Sequence, residues 1–248
     1  MTTKASKIFN HENLPLPALK SKFLKNYEND PNIQNNFSAS KSTIKQALKK
    51  YSLDQLCVCF DGGKDGQIVL EILRQELESR GVSEASGDQS KVIVLNIISQ
   101  NPIPKCVNLV KNFTTKNQKH FKLLEIHNQP NMISALKSFK SSNPSIKSIF
   151  MGTRRTDNSF SKNLKTFSQT SSGWPEFELI NPVLDWGQVD VWVFLLKNEI
   201  EYCDLYDEGY TSLGELGKTG KNELLKIETG NYLPAFCLLS GEDERSSR

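Results

Sequence analysis

The segment Asp61-Gly62-Gly63-Lys64-Asp65 concentrates residues able to do chemistry. Two adjacent glycines let the backbone turn sharply and bring N–H groups against a ligand with no Cβ in the way. Residues 56–60 before them are continuously apolar, and Ile68, Val69, Ile72, Leu73 and Leu77 after them recur at helical spacing. The glycines therefore sit at a strand-to-helix turn, where the helix aims its free N–H groups and positive dipole end at one point. Lys64 adds a mobile cation. Together these make an anion site suited to polyphosphate. The pattern is neither the Walker loop nor the dinucleotide GxGxxG, and the pentapeptide in isolation serves a plain turn equally well.

A second such segment is Met151-Gly152-Thr153-Arg154-Arg155-Thr156-Asp157, again after an apolar run. Gly152 permits close approach, and adjacent arginines offer forked donors to phosphate or carboxylate. Structural ion pairs are the other use of arginines at a strand end. Of the three tryptophans, Trp174 is expected near a ligand, where it could stack on a ring, and Trp186 and Trp192 inside the core. The last residues, 242–248, read alone as a solvated charged tail.

The elements that must position these residues follow from periodicity. Buried strands are expected over residues 56–60, 92–98, 121–126, 146–151 and 180–184, with helices after 63 and over 103–117, 130–141 and 188–198. Residues 81–90 read as a polar loop. The first fifty residues read as two helices, one carrying Leu19, Phe23, Leu24 and Tyr27, the next spanning 33–51 behind Pro31. Alternating strands and helices predict an α/β fold with a mostly parallel sheet sandwiched by helices. Such sheets bind ligands at the carboxyl ends of their strands, where both glycine segments and residues 96–98 fall. The division expected is an N-terminal helical segment (1–52), an α/β nucleotide-binding core (53–200) and a C-terminal extension (201–248).

Composition narrows the class. The chain has 248 residues, 37% hydrophobic and 24% charged, which suits a soluble globular protein. No apolar run is long enough to cross a bilayer, and residues 1–10 lack the features of a targeting peptide. Five cysteines, with Cys57, Cys59 and Cys237 in apolar stretches, suit a reducing compartment, and cytoplasm is the default. No His/Cys cluster has zinc-ligand spacing. A net charge of +3 is too mild for a nucleic-acid binder, and the lysines of residues 45–50 read as a solvated helix face. Small-molecule substrates, no nucleic acid, no membrane and a monomeric state are expected.

The string FDGGKD after an apolar strand resembles the modified P-loop of the PP-loop ATP pyrophosphatases, which usually reads SGGxDS. It is closer to the branch of the eukaryotic FAD synthases and PAPS reductases, in which FAD synthases carry NGGKD. GTRRTD at 152–157, Trp174-Pro175, NPVLDW at 181–186, residues 202–214 and the terminal ERSSR continue the resemblance to FAD synthases, from about Phe60 onward. The resemblance implies an adenine-nucleotide α-hydrolase-like fold and FMN adenylyltransferase activity. FMN phosphate would attack the α-phosphorus of ATP to give FAD and pyrophosphate. That phosphate, with a second pKa of about 6, needs no general base. Alignment and charge neutralisation carry the step.

The implied roles are these. Asp61, Gly62, Gly63, Lys64, Asp65, Gly152, Arg154 and Arg155 hold ATP phosphates, with the departing pyrophosphate on the glycine amides and Lys64. Backbone near Ile97 reads adenine, and Asp65 is the carboxylate to hold Mg²⁺, directly or through water. Asp157, Ser171 and Trp174 contact the flavin, and Arg245 and Arg248 of the ERxxR end fold back onto both phosphates. Asp61, Lys64, Asp65, Arg154, Arg245 and Arg248 form the catalytic set. Three departures stand out: Asp61 in place of asparagine, Gly66 in place of cysteine, and Ser171 in place of aspartate. The alternatives are a PAPS reductase-like enzyme, which needs a reactive cysteine beside a histidine that Cys237 lacks, and a catalytically weakened flavin or nucleotide binder.

Overall fold

A computed structural model describes residues 7–9, 14–81, 91–127 and 129–247 of the chain. Strands β1 (Leu56–Cys59), β2 (Val92–Ile97), β3 (Phe121–Ile126), β4 (Ser148–Phe150) and β6 (Glu178–Ile180) pair in parallel in the order β3-β2-β1-β4-β6. β5 (Phe167–Gln169) adds an antiparallel edge against β6. β1 is central, with Cys57 opposite Ile93 on one side and Ile149 on the other. The chain winds outward from β1 through β2 to β3, then crosses to β4 on the opposite side of β1. That reversal opens a crevice at the carboxyl end of β1, the place where such sheets take ligands.

Two strand expectations shift. The run at 146–151 pairs only over β4, and the run at 180–184 ends at Ile180. Pro182 has no N–H for a ladder, and the Asn181 N–H donates to Thr166 O (2.8 Å) while its Nδ2 donates to Lys165 O (3.1 Å). The chain turns there. β5 carried too few alternating residues to be read from sequence. Of the loop expected at 81–90, residues 82–90 lie outside the described residues.

Helix α1 (Leu16–Tyr27) leads into α2 (Pro31–Lys50), where Pro31 is the first helical residue and Asp30 Oδ1 accepts from the Asn32 N–H at 2.8 Å. α3 (Lys64–Ser79), α4 (Pro104–Lys116) and α5 (Met132–Ser142) follow β1, β2 and β3. α6 (Gln188–Lys197) is apolar almost all round because it lies between α1 and α3. One hydrophobic cluster runs through residues of all three expected segments, among them Phe23, Trp192 and Phe236. Phe23 meets the rings of Phe9, Tyr27 and Phe236. Ser40 of α2 accepts from Trp186 Nε1 (2.8 Å) and donates to Pro182 O (2.7 Å), tying the N-terminal layer to the core. Trp186 and Trp192 are buried as expected. Among the described residues no helix is long and apolar enough to cross a membrane.

Phe23→Ala should lower stability by about 3–5 kcal/mol, because it empties a ring-lined space that α1, α6 and the C-terminal extension share. Urea denaturation checks this. A loss below about 1 kcal/mol would mean that α1 does not fold with the core.

Candidate active site

The turn after β1 is fixed by sterics. Gly62 has φ +91°, and a Cβ there would lie 2.6–2.8 Å from the O, Cβ and Cα of Cys106 at the start of α4. Glycine is required on both counts. Gly63 caps α3 without a side chain, and the first turn of that helix lines the crevice. Gly152, from the loop after β4, presses on the first turn of α3: its Cβ would sit 2.6 Å from Gly66 N and 2.8 Å from Asp65 C. Gly66 in turn lies against Phe60, whose Cδ2 a Cβ would meet at 2.9 Å, so a larger residue here requires the ring to move.

Three connected recesses open around this turn. The first is lined by Asp61, Gly63, Asn96, Ile97, Ile98, Ile103 and residues 213–215. The second, over the loop itself, is lined by Asp61, Gly63, Lys64, Asp65, Gly152, Thr153, Asp157, Ser212 and Arg245, with a volume of about 210 Å³. The third, about 510 Å³, is apolar, with Leu136, Ile149, Met151, Phe160, Leu179 and Trp174 on its walls and Ser171 at its rim. Asp61 and Gly63 line both the first and the second, and Cys59 and Met151 both the second and the third. Trp174 keeps 38% of its surface exposed at the mouth of the apolar recess.

The charged residues are arranged differently from the expectation. Lys64 is buried (2% exposed), its ammonium bound to Glu244 and 3.3 Å from Asp65 Oδ2, so it is a fixed charge behind the loop and not a mobile one. Arg154 has no exposed surface. Its Nη2 binds Glu244, and its Nε lies 2.9 Å from Asp65 Oδ1 without hydrogen-bond alignment. Arg155 faces away, pairing with Asp185 (2.5 Å) and donating to the carbonyls of Lys162 (2.9 Å) and Leu164 (2.8 Å); it lines none of the three recesses. It holds the 162–164 loop, the structural use of a strand-end arginine. Arg245, 42% exposed, is 3.2 Å from Asp157 Oδ1 and reaches the phosphate recess. Arg248 lies outside the described residues.

The carboxylates follow suit. Glu244 (3% exposed) would be raised by burial, but Lys64 and Arg154 outweigh this and hold it down at about 2. Asp65 competes for the same two cations and is raised, burial being the largest cause. Both its oxygens already face a cation, so it does not fit a directly held Mg²⁺. Among the described residues no group of three or more His, Cys, Asp or Glu could hold a metal ion. Asp157 Oδ2 accepts from the Arg154 N–H (2.9 Å) and lines the phosphate recess, not the apolar one. Asp61 Oδ1 accepts from the Gly63 N–H at 3.0 Å. That amide is therefore already paired.

Sequence reasoning missed Glu244 and Tyr206. Tyr206 receives the Lys64 N–H on its hydroxyl (3.3 Å), and the Lys64 ammonium lies over its ring. No local signal marks Glu244, because a glutamate in a charged tail reads as solvated. The glutamate of the ERxxR string was the available sign.

Residues 55–221 match the family model of the phosphoadenosine phosphosulfate reductase domain. A probable FAD synthase of Schizosaccharomyces pombe is 32% identical over 216 residues, covering 87% of this chain and 80% of that protein. A probable FAD synthase of Caenorhabditis elegans is 31% identical over 89% of this chain, which spans only 42% of the nematode protein. The crystal structure of Candida glabrata FMN adenylyltransferase in complex with FMN and the ATP analog AMPCPP superposes with a TM-score of 0.79 at 22% identity, covering 93% of this chain and 96% of that one. On the family match and the fission-yeast relative, the chain belongs to the phosphoadenosine phosphosulfate reductase domain family and, within it, to the FAD synthases.

Proposed function

We propose that the chain is an FMN adenylyltransferase that joins FMN and ATP into FAD and releases pyrophosphate. One observation carries the reading: an apolar recess of about 510 Å³, through Cys59 and Met151, and a polar recess, through Asp61 and Gly63, both adjoin the recess over one phosphate loop. An isoalloxazine ring suits the first, an adenosine the second, and the bond to be made falls between them. The relatives named as FAD synthases and the likeness to an FMN- and AMPCPP-bound enzyme support it.

In this reading FMN enters with its ring against Trp174, Met151 and Leu179 and its phosphate over Gly152 and Thr153. ATP lies along Ile97 and Ile98 with its phosphates at the N-terminal end of α3, whose dipole favours them. Magnesium enters with the nucleotide as MgATP. The FMN phosphate oxygen bonds to the α-phosphorus, the bond to the bridging oxygen breaks, and pyrophosphate departs with that electron pair. The protein's part is to hold two anions together in line. Arg245, exposed at the recess, is the cation placed to offset their repulsion. A monomeric state and a reducing, cytoplasmic setting belong to the same proposal, the setting alone being supported by five free cysteines. Cys237 offers no support to a reductase: it has no exposed surface, and burial pushes its thiol up to about 12.

The test is incubation with FMN and MgATP, following FAD and pyrophosphate in equal amounts; FMN and ATP bound without either product would overturn the reading. Asp61→Asn should raise kcat/KM by about tenfold, or ~1.4 kcal/mol, since asparagine keeps the Gly63 bond and replaces a carboxylate oxygen facing phosphate with a donor. An unchanged kcat/KM would refute this. Trp174→Ala should raise the KM for FMN about tenfold and leave that for ATP alone. Equal changes in both constants would remove Trp174 from the flavin pocket.

A further inference from the structure

Resting on that reading, we propose that Glu244 is a positioning residue for adenylyl transfer: bound between Lys64 and Arg154, it fixes the neighbouring Arg245 over the phosphate recess. The carboxylate is buried: one oxygen binds Lys64 and the other binds Arg154, and with the Gln188 amide oriented to satisfy both its neighbours, Gln188 Nε2 donates to the latter at 2.9 Å. Gln188 is itself held by Trp192 Nε1 at 3.0 Å. Each partner comes from a different element: Lys64 from the first turn of α3, Arg154 from the loop after β4, Gln188 from the start of α6. The backbone around Glu244 is anchored too. Thr211 Oγ1 donates to its carbonyl (2.6 Å), Asn222 Nδ2 donates to Asp243 O (2.9 Å), and Lys7 pairs with Asp243 at 2.6 Å.

Arg245 has no such set of bonds. Its side chain is 42% exposed, and its Nη2 meets Asp157 at 3.2 Å on the wall of the recess. Its placement therefore derives from the residue before it. Lys64 and Arg154 beneath the loop are neutralised in place by Glu244 and Asp65, so among the described residues Arg245 is the exposed arginine lining the phosphate recess. With glutamine at 244, Lys64 and Arg154 would be left with Asp65, and Arg154 with Asp157 at 3.9 Å, and the tail would lose its tie to both cations.

The test is a double-mutant cycle on FAD formation with E244Q and R245A, each variant first shown to be folded by its melting transition. Glu244→Gln should lower kcat at least tenfold in the wild-type background and less than twofold in the Arg245→Ala background. Equal loss in both backgrounds overturns the proposal, as does a rate that is unchanged or faster in E244Q. A second readout does not depend on activity. Trypsin should cleave after Arg245, seen by intact mass, at least tenfold faster in E244Q than in the wild type. Equal cleavage overturns the proposal even if the wild type makes no FAD, an outcome that would sink only the functional reading.

Discussion

The site exists because three stretches of chain meet at the carboxyl end of β1 with no side chains between them. Gly62 lies against Cys106, and Gly152 lies against the Asp65–Gly66 peptide, at distances no Cβ allows. These contacts fix where the loop after β4 and the start of α4 stand relative to the first turn of α3. The recesses that adjoin the loop are consequences of that placement. The recess over the turn is lined by residues from the end of β1, the loop after β4 and the first turn of α3.

Beneath the turn lies a set of buried charges: Lys64 and Arg154 against Glu244 and Asp65. Burying such ions costs several kcal/mol each, offset only when every partner is in place. Removing one member typically costs about 3–5 kcal/mol, so the set specifies one arrangement of the tail and the loop. It also divides the cations by role. The two that look most available in sequence are spent on structure, and the exposed Arg245 faces the recess. An asparagine-to-aspartate difference at position 61 then matters more, since the recess has little exposed positive charge to offset an added carboxylate.

The sheet was legible where strands are apolar and central, as at 56–60 and 92–98, because burial on both faces leaves a continuous apolar run. The edge was less so. β5 has two half-buried residues and one exposed, and Pro182 turned an apolar stretch into a bend. In the site, the glycines could be read because sterics act locally. The roles of Lys64, Arg154 and Arg155 could not, since a cation's function depends on which carboxylate folding brings to it. Glu244 and Arg154 are 90 residues apart in sequence. Asp185, the partner of Arg155, is likewise supplied by a distant turn.

The central claim is that one cleft holds both halves of the product across a single phosphate loop. Flavin fluorescence tests it directly, by displacing FAD from the protein with FMN alone and with a non-hydrolysable ATP analogue alone. The account predicts that each displaces FAD completely, while FMN and the analogue leave one another's binding intact. FAD that stays bound at saturating ATP analogue would contradict it.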